Sequence, residues 1–457
     1  MRKLEQQHLE AFFEFLSIPS ISTLSRYKGE VAKAAEWLMK RMKHVGLENI
    51  QRFETPLHPI IYADFLHAPG QPTVLIYGHY DVQPAEDVHF WTTPPFSPTL
   101  RDGRIYARGS SDMKGNLFSC LLALESLIQI KQLNVNIKCI FEGEEEISSP
   151  SLTAFVQEHK ELLACDVSLN CDGSMAGEHQ PVIGLSARGS LMLELTVQAA
   201  NQDLHSGSWG GQVPNPLHVL SKLIASFHDN SGRIAVPGFY DEVYELNEPE
   251  KAEVRVTPFD EKKELEQLGL NSFFGETGYS ARERIATRPT LEVNGLWGGY
   301  TGEDAMTVIP SKAYAKISCR LVQHQDPHKI TQLVKDHIAK HLPAYVTFDV
   351  KELEAPAYPY VMSAQHPINQ LLANVLKRSY GTEPSFEREG GTVPVLALLQ
   401  QELGVDSVSL GFSLPDEQIH APNEFMRVSS LGRASEVYAA FIRTLGSTSL
   451  FKTSRDS

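Results

Sequence analysis

One alternation constrains this chain more than any other feature. The apolar run Thr73-Val74-Leu75-Ile76 reads as a buried strand, and a helical pattern follows from Leu117 to Ile130. Asn136–Phe141 reads as a second strand, Ser151–Leu163 as a helix and Asp166–Asn170 as a third strand. Strand and helix in turn predict an α/β unit with a mostly parallel sheet. In such sheets ligands collect at the carboxyl ends of the strands. Those ends carry Gly78-His79-Tyr80-Asp81, Glu142-Gly143-Glu144-Glu145-Glu146 and Asp172-Gly173, and Asp112 sits in the turn before the first helix. His420 follows a later strand pattern at Val408–Phe412.

Taken singly, each of these residues has an ordinary reading. Asp112 fits a helix N-cap, three consecutive glutamates fit a solvated face, and Asp before Gly fits a turn. Taken together, His79, Asp112, Glu145, Glu146, Asp172 and His420 meet at one edge if the fold is as read. Carboxylates crowded there repel one another unless cations neutralise them. Two divalent ions balance three ligand carboxylates and one hydroxide. His79 and Asp81, two residues apart, fit a metal ligand and the group that orients it.

Charge and cysteine usage remove other classes. A formal net charge of −15 over 457 residues is poorly suited to holding phosphate backbones, so nucleic acid is not expected as a partner. Five cysteines without a C-x-x-C pair indicate neither a zinc ribbon nor a disulfide framework. No signal-peptide core opens the sequence and no run of eighteen apolar residues crosses a membrane. A soluble, cytoplasmic protein is expected.

The quoted motifs, with Asp203-Leu204-His205-Ser206-Gly207, Arg388-Glu389-Gly390-Gly391-Thr392 and His420-Ala421-Pro422-Asn423-Glu424, resemble the M20 family of metallopeptidases, most closely its carnosinase-like dipeptidase branch. The resemblance implies that His79, Asp112 and Asp172 bind one metal and that Asp112, Glu146 and His420 bind the other. The ions would be Zn(II), with Mn(II) or Co(II) as alternatives. It implies that Asp81 fixes the His79 ring, and that Glu145 is general base and then acid for a metal-bridging hydroxide attacking a dipeptide. It further implies that His205 acts from the partner subunit of a homodimer, and that Arg320, Thr307, Gly390, Gly391 and Thr392 hold the substrate's carboxylate end. Pro150 departs from the Gly-containing turn common in the family, and is expected to stiffen the turn after the glutamates.

Around Gly184 the texture changes. Alternating segments at 190–197, 313–322 and 345–350, with a helix over 328–341, predict an inserted α+β unit at 186–356 that would be the family's lid and dimerisation domain. Residues 1–185 and 357–457 then form the catalytic domain, with helices on both faces of its sheet. The stretch 229–278 carries mixed helix signals without a clear placement. Two rival functions remain. One is an N-acyl amino acid deacylase using the same metals; the other is a non-catalytic binding protein of this fold, which the complete ligand set and intact Glu145 disfavour.

Overall fold

The computed structural model describes residues 6–85, 88–256, 259–388, 390–448 and 450–451. By packing, the chain divides into two compact units, Met1–Leu185 with Met362–Glu387 and Leu398–Ser457, and Ser186–Val361 with Arg388–Ala397. The second unit thus takes in 357–361 and 388–397, which the sequence pattern assigns to the catalytic domain.

In the first unit the sheet runs in the order Glu48–Phe53, Ile60–Phe65, Asn136–Glu142, Thr73–His79, Val167–Asn170, Ser407–Ser409 and Val182–Ala187. The four central strands are parallel; the flanking ones are antiparallel. The fold is therefore α/β with a mixed, centrally parallel sheet. Thr73–His79 and Asn136–Glu142 are buried along almost their whole length, as strands covered on both faces must be. The first of these strands lies between the next two parallel strands in chain order, so the chain goes first to one side of it and then crosses to the other. Its carboxyl end is the crevice where such sheets bind ligands.

Helices fix the sheet's surroundings. Lys114–Gln129 is buried over most of its turns and packs against Val428–Ser447. Trp37 of the Lys28–Val45 helix stacks on Phe15 of Gln6–Leu16 with ring centroids 4.4 Å apart. Gly46 closes the Lys28–Val45 helix at φ +100°, its N–H bonding to the carbonyls of Lys43 and Met42. The expected helix over 151–163 is two pieces, Leu152–Glu158 and Lys160–Leu163. Asp112 does not cap the helix after it: the cap position is Met113, and no side-chain cap bond forms there. At the other side of the crevice a Cβ on Gly411 would lie 2.0 Å from the Gly173 carbonyl oxygen, so only glycine lets the exit of Ser407–Ser409 run against the Asp172 segment.

In the second unit four antiparallel strands are ordered Thr290–Gly298, Lys312–Leu321, Gly189–Gln198, Thr347–Glu352. Leu191, Leu193, Leu195 and Val197 alternate along one strand and pack with Leu220, Leu223, Ile330, Val334 and Ile338 from the helices Pro216–Ala225 and Pro327–His341. The stretch left unplaced above contributes the helices Glu248–Val256 and Glu261–Leu268. Among the described residues no helix is long and apolar enough to cross a membrane.

Candidate metal centre

His79 ends its strand, Asp112 lies in the turn over 108–113 that leads into the Lys114–Gln129 helix, Glu145 and Glu146 open a 3-10 turn after Glu142, and Asp172 follows the Val167–Asn170 strand. The fold brings all of them together with His420. Two three-residue clusters form, His79–Asp112–Asp172 and Asp112–Glu146–His420, the ligand atoms of each lying within 4.8 Å of one another. Asp112 belongs to both. His79 Nε2 lies 3.4 Å from Asp112 Oδ1, 3.8 Å from Asp172 Oδ2 and 3.8 Å from Glu145 Oε2. On the other side His420 Nε2 is 2.7 Å from Asp112 Oδ2 and 3.5 Å from Glu146 Oε2.

Asp81 is fully buried and touches two segments of the centre. Its carboxylate sits 3.4 Å from His79 Nδ1, which is nearer, at 3.1 Å, to the Asp81 backbone carbonyl. The same carboxylate accepts the backbone N–H groups of Glu145 at 3.3 Å and Glu146 at 3.1 Å. One side chain thereby ties the His79 strand to the turn that carries both glutamates. Ser148 and Ser149 then take φ of 69° and 49°, so the turn before Pro150 is left-handed without glycine. Glu144 faces away from the clusters, its carboxylate bonded to Thr55, the His58 N–H and Ser151.

Other residues join the centre without having stood out in the sequence. Gln83 Nε2 donates to Glu146 Oε2 at 2.8 Å, although Gln83 lies in the stretch that announces His79. Glu424, wholly buried, accepts N–H groups from Gly109, Ser111 and Asp112.

Four carboxylates share this space with two imidazoles, and their titration reflects it. Burial pushes Asp172 up to about 7, with Asp112 adding repulsion. Burial likewise raises Glu145 well above its ordinary value, opposed by His79 and reinforced by Asp172, Glu146 and Asp112. Hydrogen bonding to Asp112 and then Glu146 lifts His420 to about 10. Meanwhile Nε2 of His79 and Oε1 of Glu146 are buried without a hydrogen-bond partner. Orphaned ligand atoms beside mutually repelling carboxylates are the environment a pair of divalent cations satisfies, so the residues fit a two-metal centre.

The remaining sequence candidates lie in the second unit, in two groups. His205 Nε2 is 3.5 Å from Thr307 Oγ1, and its Nδ1 accepts the Gly207 N–H at 3.0 Å. The neutral ring therefore carries its proton on Nε2. Arg320 Nη1 donates to Thr392 Oγ1 at 2.6 Å, while Arg188 Nε donates to the Gly390 carbonyl at 2.8 Å and its backbone N–H to that of Gly391 at 2.7 Å. Arg188 was not among the expected residues.

Comparison with known proteins places this arrangement. Cys-Gly metallodipeptidase dug1 of Schizosaccharomyces pombe is 28% identical over 451 residues, covering 95% of this chain and 94% of that protein. Human Beta-Ala-His dipeptidase is 30% identical over 400 residues, 84% of this chain and 77% of that protein. Among solved structures, the M20 family metallo-carboxypeptidase Sso-CP2 from Sulfolobus solfataricus matches with a TM-score of 0.86 at 33% identity, covering 97% of this chain and 100% of that one. The di-peptidase Dug1p from Saccharomyces cerevisiae gives 0.83 at 25% identity, covering 97% and 96%. The sequence profile described as Peptidase family M20/M25/M40 matches residues 75–444. Both three-residue clusters fall inside that span, and the chain belongs to Peptidase family M20/M25/M40.

Proposed function

We propose that this protein is a two-metal dipeptidase that hydrolyses the peptide bond of dipeptides or short peptides. The observation that carries the reading is Asp112 shared between two ligand clusters, with the Glu145 carboxylate beside them. The dipeptidase names of the relatives at 28% and 30% identity support the substrate class. His79, Asp112 and Asp172 would hold one ion, and Asp112, Glu146 and His420 the other; nitrogen and carboxylate donors suit Zn(II), with Mn(II) or Co(II) as alternatives. When bound, two such ions make water acidic enough to supply a nucleophile near neutral pH and polarise the scissile carbonyl.

The chain's own groups do the rest. Glu145, a base raised by burial, takes the proton from the attacking water and returns it to the leaving amine. Asp81 holds His79 and the Glu145–Glu146 turn in one frame. His205 presents its Nε2–H to the developing oxyanion. Arg320, braced by Thr392 and assisted by Thr307 and the Gly390-Gly391 turn, takes the substrate carboxylate. Incubating the zinc-loaded protein with dipeptides, longer peptides and N-acyl amino acids tests the reading. Fastest release from dipeptides is expected; preference for acetyl- or succinyl-amino acids would make it a deacylase, and one-by-one release from longer peptides a carboxypeptidase like Sso-CP2 is named to be.

The reading extends to a homodimer in which His205 serves the partner's centre. Leu296, Trp297 and Tyr300 are exposed on or just after the edge strand Thr290–Gly298, a surface suited to a second copy. Mixing inactive His205→Ala with inactive Glu145→Gln should then regain activity, because each hybrid dimer assembles one complete centre. No recovery after demonstrated subunit exchange rules out action across the dimer. Five unpaired cysteines support a reducing, cytoplasmic setting, which cell fractionation checks.

A further inference from the structure

The segment that carries His420 is fastened on both sides to the segment that carries Asp112. On one side Glu424 is completely buried and its carboxylate accepts four donors from Arg108–Asp112. Oε1 takes the N–H of Ser111 at 2.9 Å and of Asp112 at 3.0 Å; Oε2 takes the N–H of Gly109 at 2.9 Å and Arg108 Nη1 at 2.7 Å. On the other side Glu417, also buried, accepts the Ser111 hydroxyl at 2.6 Å, the Leu414 N–H at 3.0 Å and Arg427 Nη1 at 3.2 Å. Between the two glutamates the backbone is unfavourable. Gln418, His420 and Asn423 have φ of 56°, 60° and 64°, conformations that persist only where surroundings over-determine them. The His420 side chain is half exposed, and among the described residues its Nε2 meets the carboxylates of Asp112 and Glu146. Its place is therefore set by the backbone beneath it.

We propose that Glu424, with Glu417 as a second fastening, is a positioning residue that holds His420 opposite Asp112 and so sets the Asp112–Glu146–His420 metal cluster. The proposal rests on the two-metal reading. A glutamine at 424 offers one acceptor oxygen where the carboxylate offers two. Its amide nitrogen would face either the Ser111 and Asp112 N–H groups or those of Gly109 and Arg108, donor against donor. Released on that side, the left-handed segment relaxes and His420 leaves its ligand position. His79 ends the Thr73–His79 strand and Asp172 follows Val167–Asn170, so these two keep theirs.

The experiment is a Zn(II) or Co(II) titration of the metal-stripped full chain by calorimetry, with circular dichroism and thermal unfolding on the same samples. The natural protein should take two equivalents. Folded Glu424→Gln should lose little affinity for the first, which keeps His79 and Asp172 beside the shared Asp112, and at least tenfold for the second. Ser111→Ala, which removes one hydrogen bond to Glu417, should weaken the second equivalent by a smaller factor and decides the matter if Glu424→Gln does not fold. Either variant binding both equivalents as the natural protein does, or losing both equally, overturns the proposal. A natural protein that takes fewer than two equivalents overturns the two-metal reading itself.

Discussion

Replacing Glu145 with Gln should lower turnover by roughly 10²–10⁴-fold, the range a positioned acid–base group contributes, while two equivalents of metal stay bound. Glutamine keeps the size of the side chain and cannot take a proton. The metal should stay because Glu145 belongs to neither three-residue cluster; its Oε2 stands 3.8 Å from His79 Nε2. Its backbone N–H still reaches Asp81, so the turn should hold its shape. Steady-state kinetics beside elemental analysis makes the check. Turnover within a few-fold of the natural protein would move the proton transfer to another residue, and loss of metal would make Glu145 a ligand.

Exhaustive chelation should abolish hydrolysis, a divalent ion should restore it, and the stripped protein should lose thermal stability as pH rises. The sign follows from the titration. Asp172 is raised to about 7 in the stripped site, so its protonated form is favoured on folding; that contribution is complete below its ordinary value of 3.8 and is lost as pH climbs through 7. His420, raised to about 10, contributes fully below 6.5 and loses its share as pH climbs through 10. Above neutrality the stripped chain thus holds unneutralised carboxylates, which a metal ion would relieve. Binding at pH 7 must also displace the His420 proton, since a ligand nitrogen has to be free, and each proton released makes apparent affinity rise about tenfold per pH unit. Melting curves of stripped and reloaded protein between pH 6 and 9 test this. A stripped protein whose Tm rises with pH, or one that stays active after verified metal removal, contradicts it.

The central sheet was legible because its strands are apolar throughout and separated by helical periodicity, and the polar residues at their ends stood out against that background. Glu48–Phe53, Ile60–Phe65 and Val182–Ala187 were not identified as strands. The first shows no buried side chains, so no hydrophobic pattern marks it; the last begins directly after Pro181 and pairs with the parallel strands through a single bridge, Ser409 with Gly184. The helices within 248–268 are polar and are held by end contacts. Glu250 and Asn247 exchange hydrogen bonds at one start, and Asp260 accepts the Lys263 N–H at the other. Nearby, Arg288 pairs with Glu276 and Glu245. Such local chemistry is visible in a sequence, but many polar loops carry the same residues. At the metal centre, the ligand-type residues were readable by their position at strand ends. Gln83, Glu417 and Glu424 were not: the Gln83 amide acts on a turn 63 residues on, and the two glutamates accept donors from a segment some 300 residues away, so neither leaves a pattern along the chain.

The sharing of Asp112 also has a consequence in time. His79, Asp112, Glu146 and Asp172 emerge early in synthesis, but His420 and its glutamate anchors are made only after the whole second unit has been translated. At ~5–20 residues per second, that interval lasts tens of seconds. Throughout it the growing chain contains all three residues of one cluster and two of the three of the other. On the proposed two-metal reading, every residue for a first ion is therefore synthesised well before the set for the second is complete.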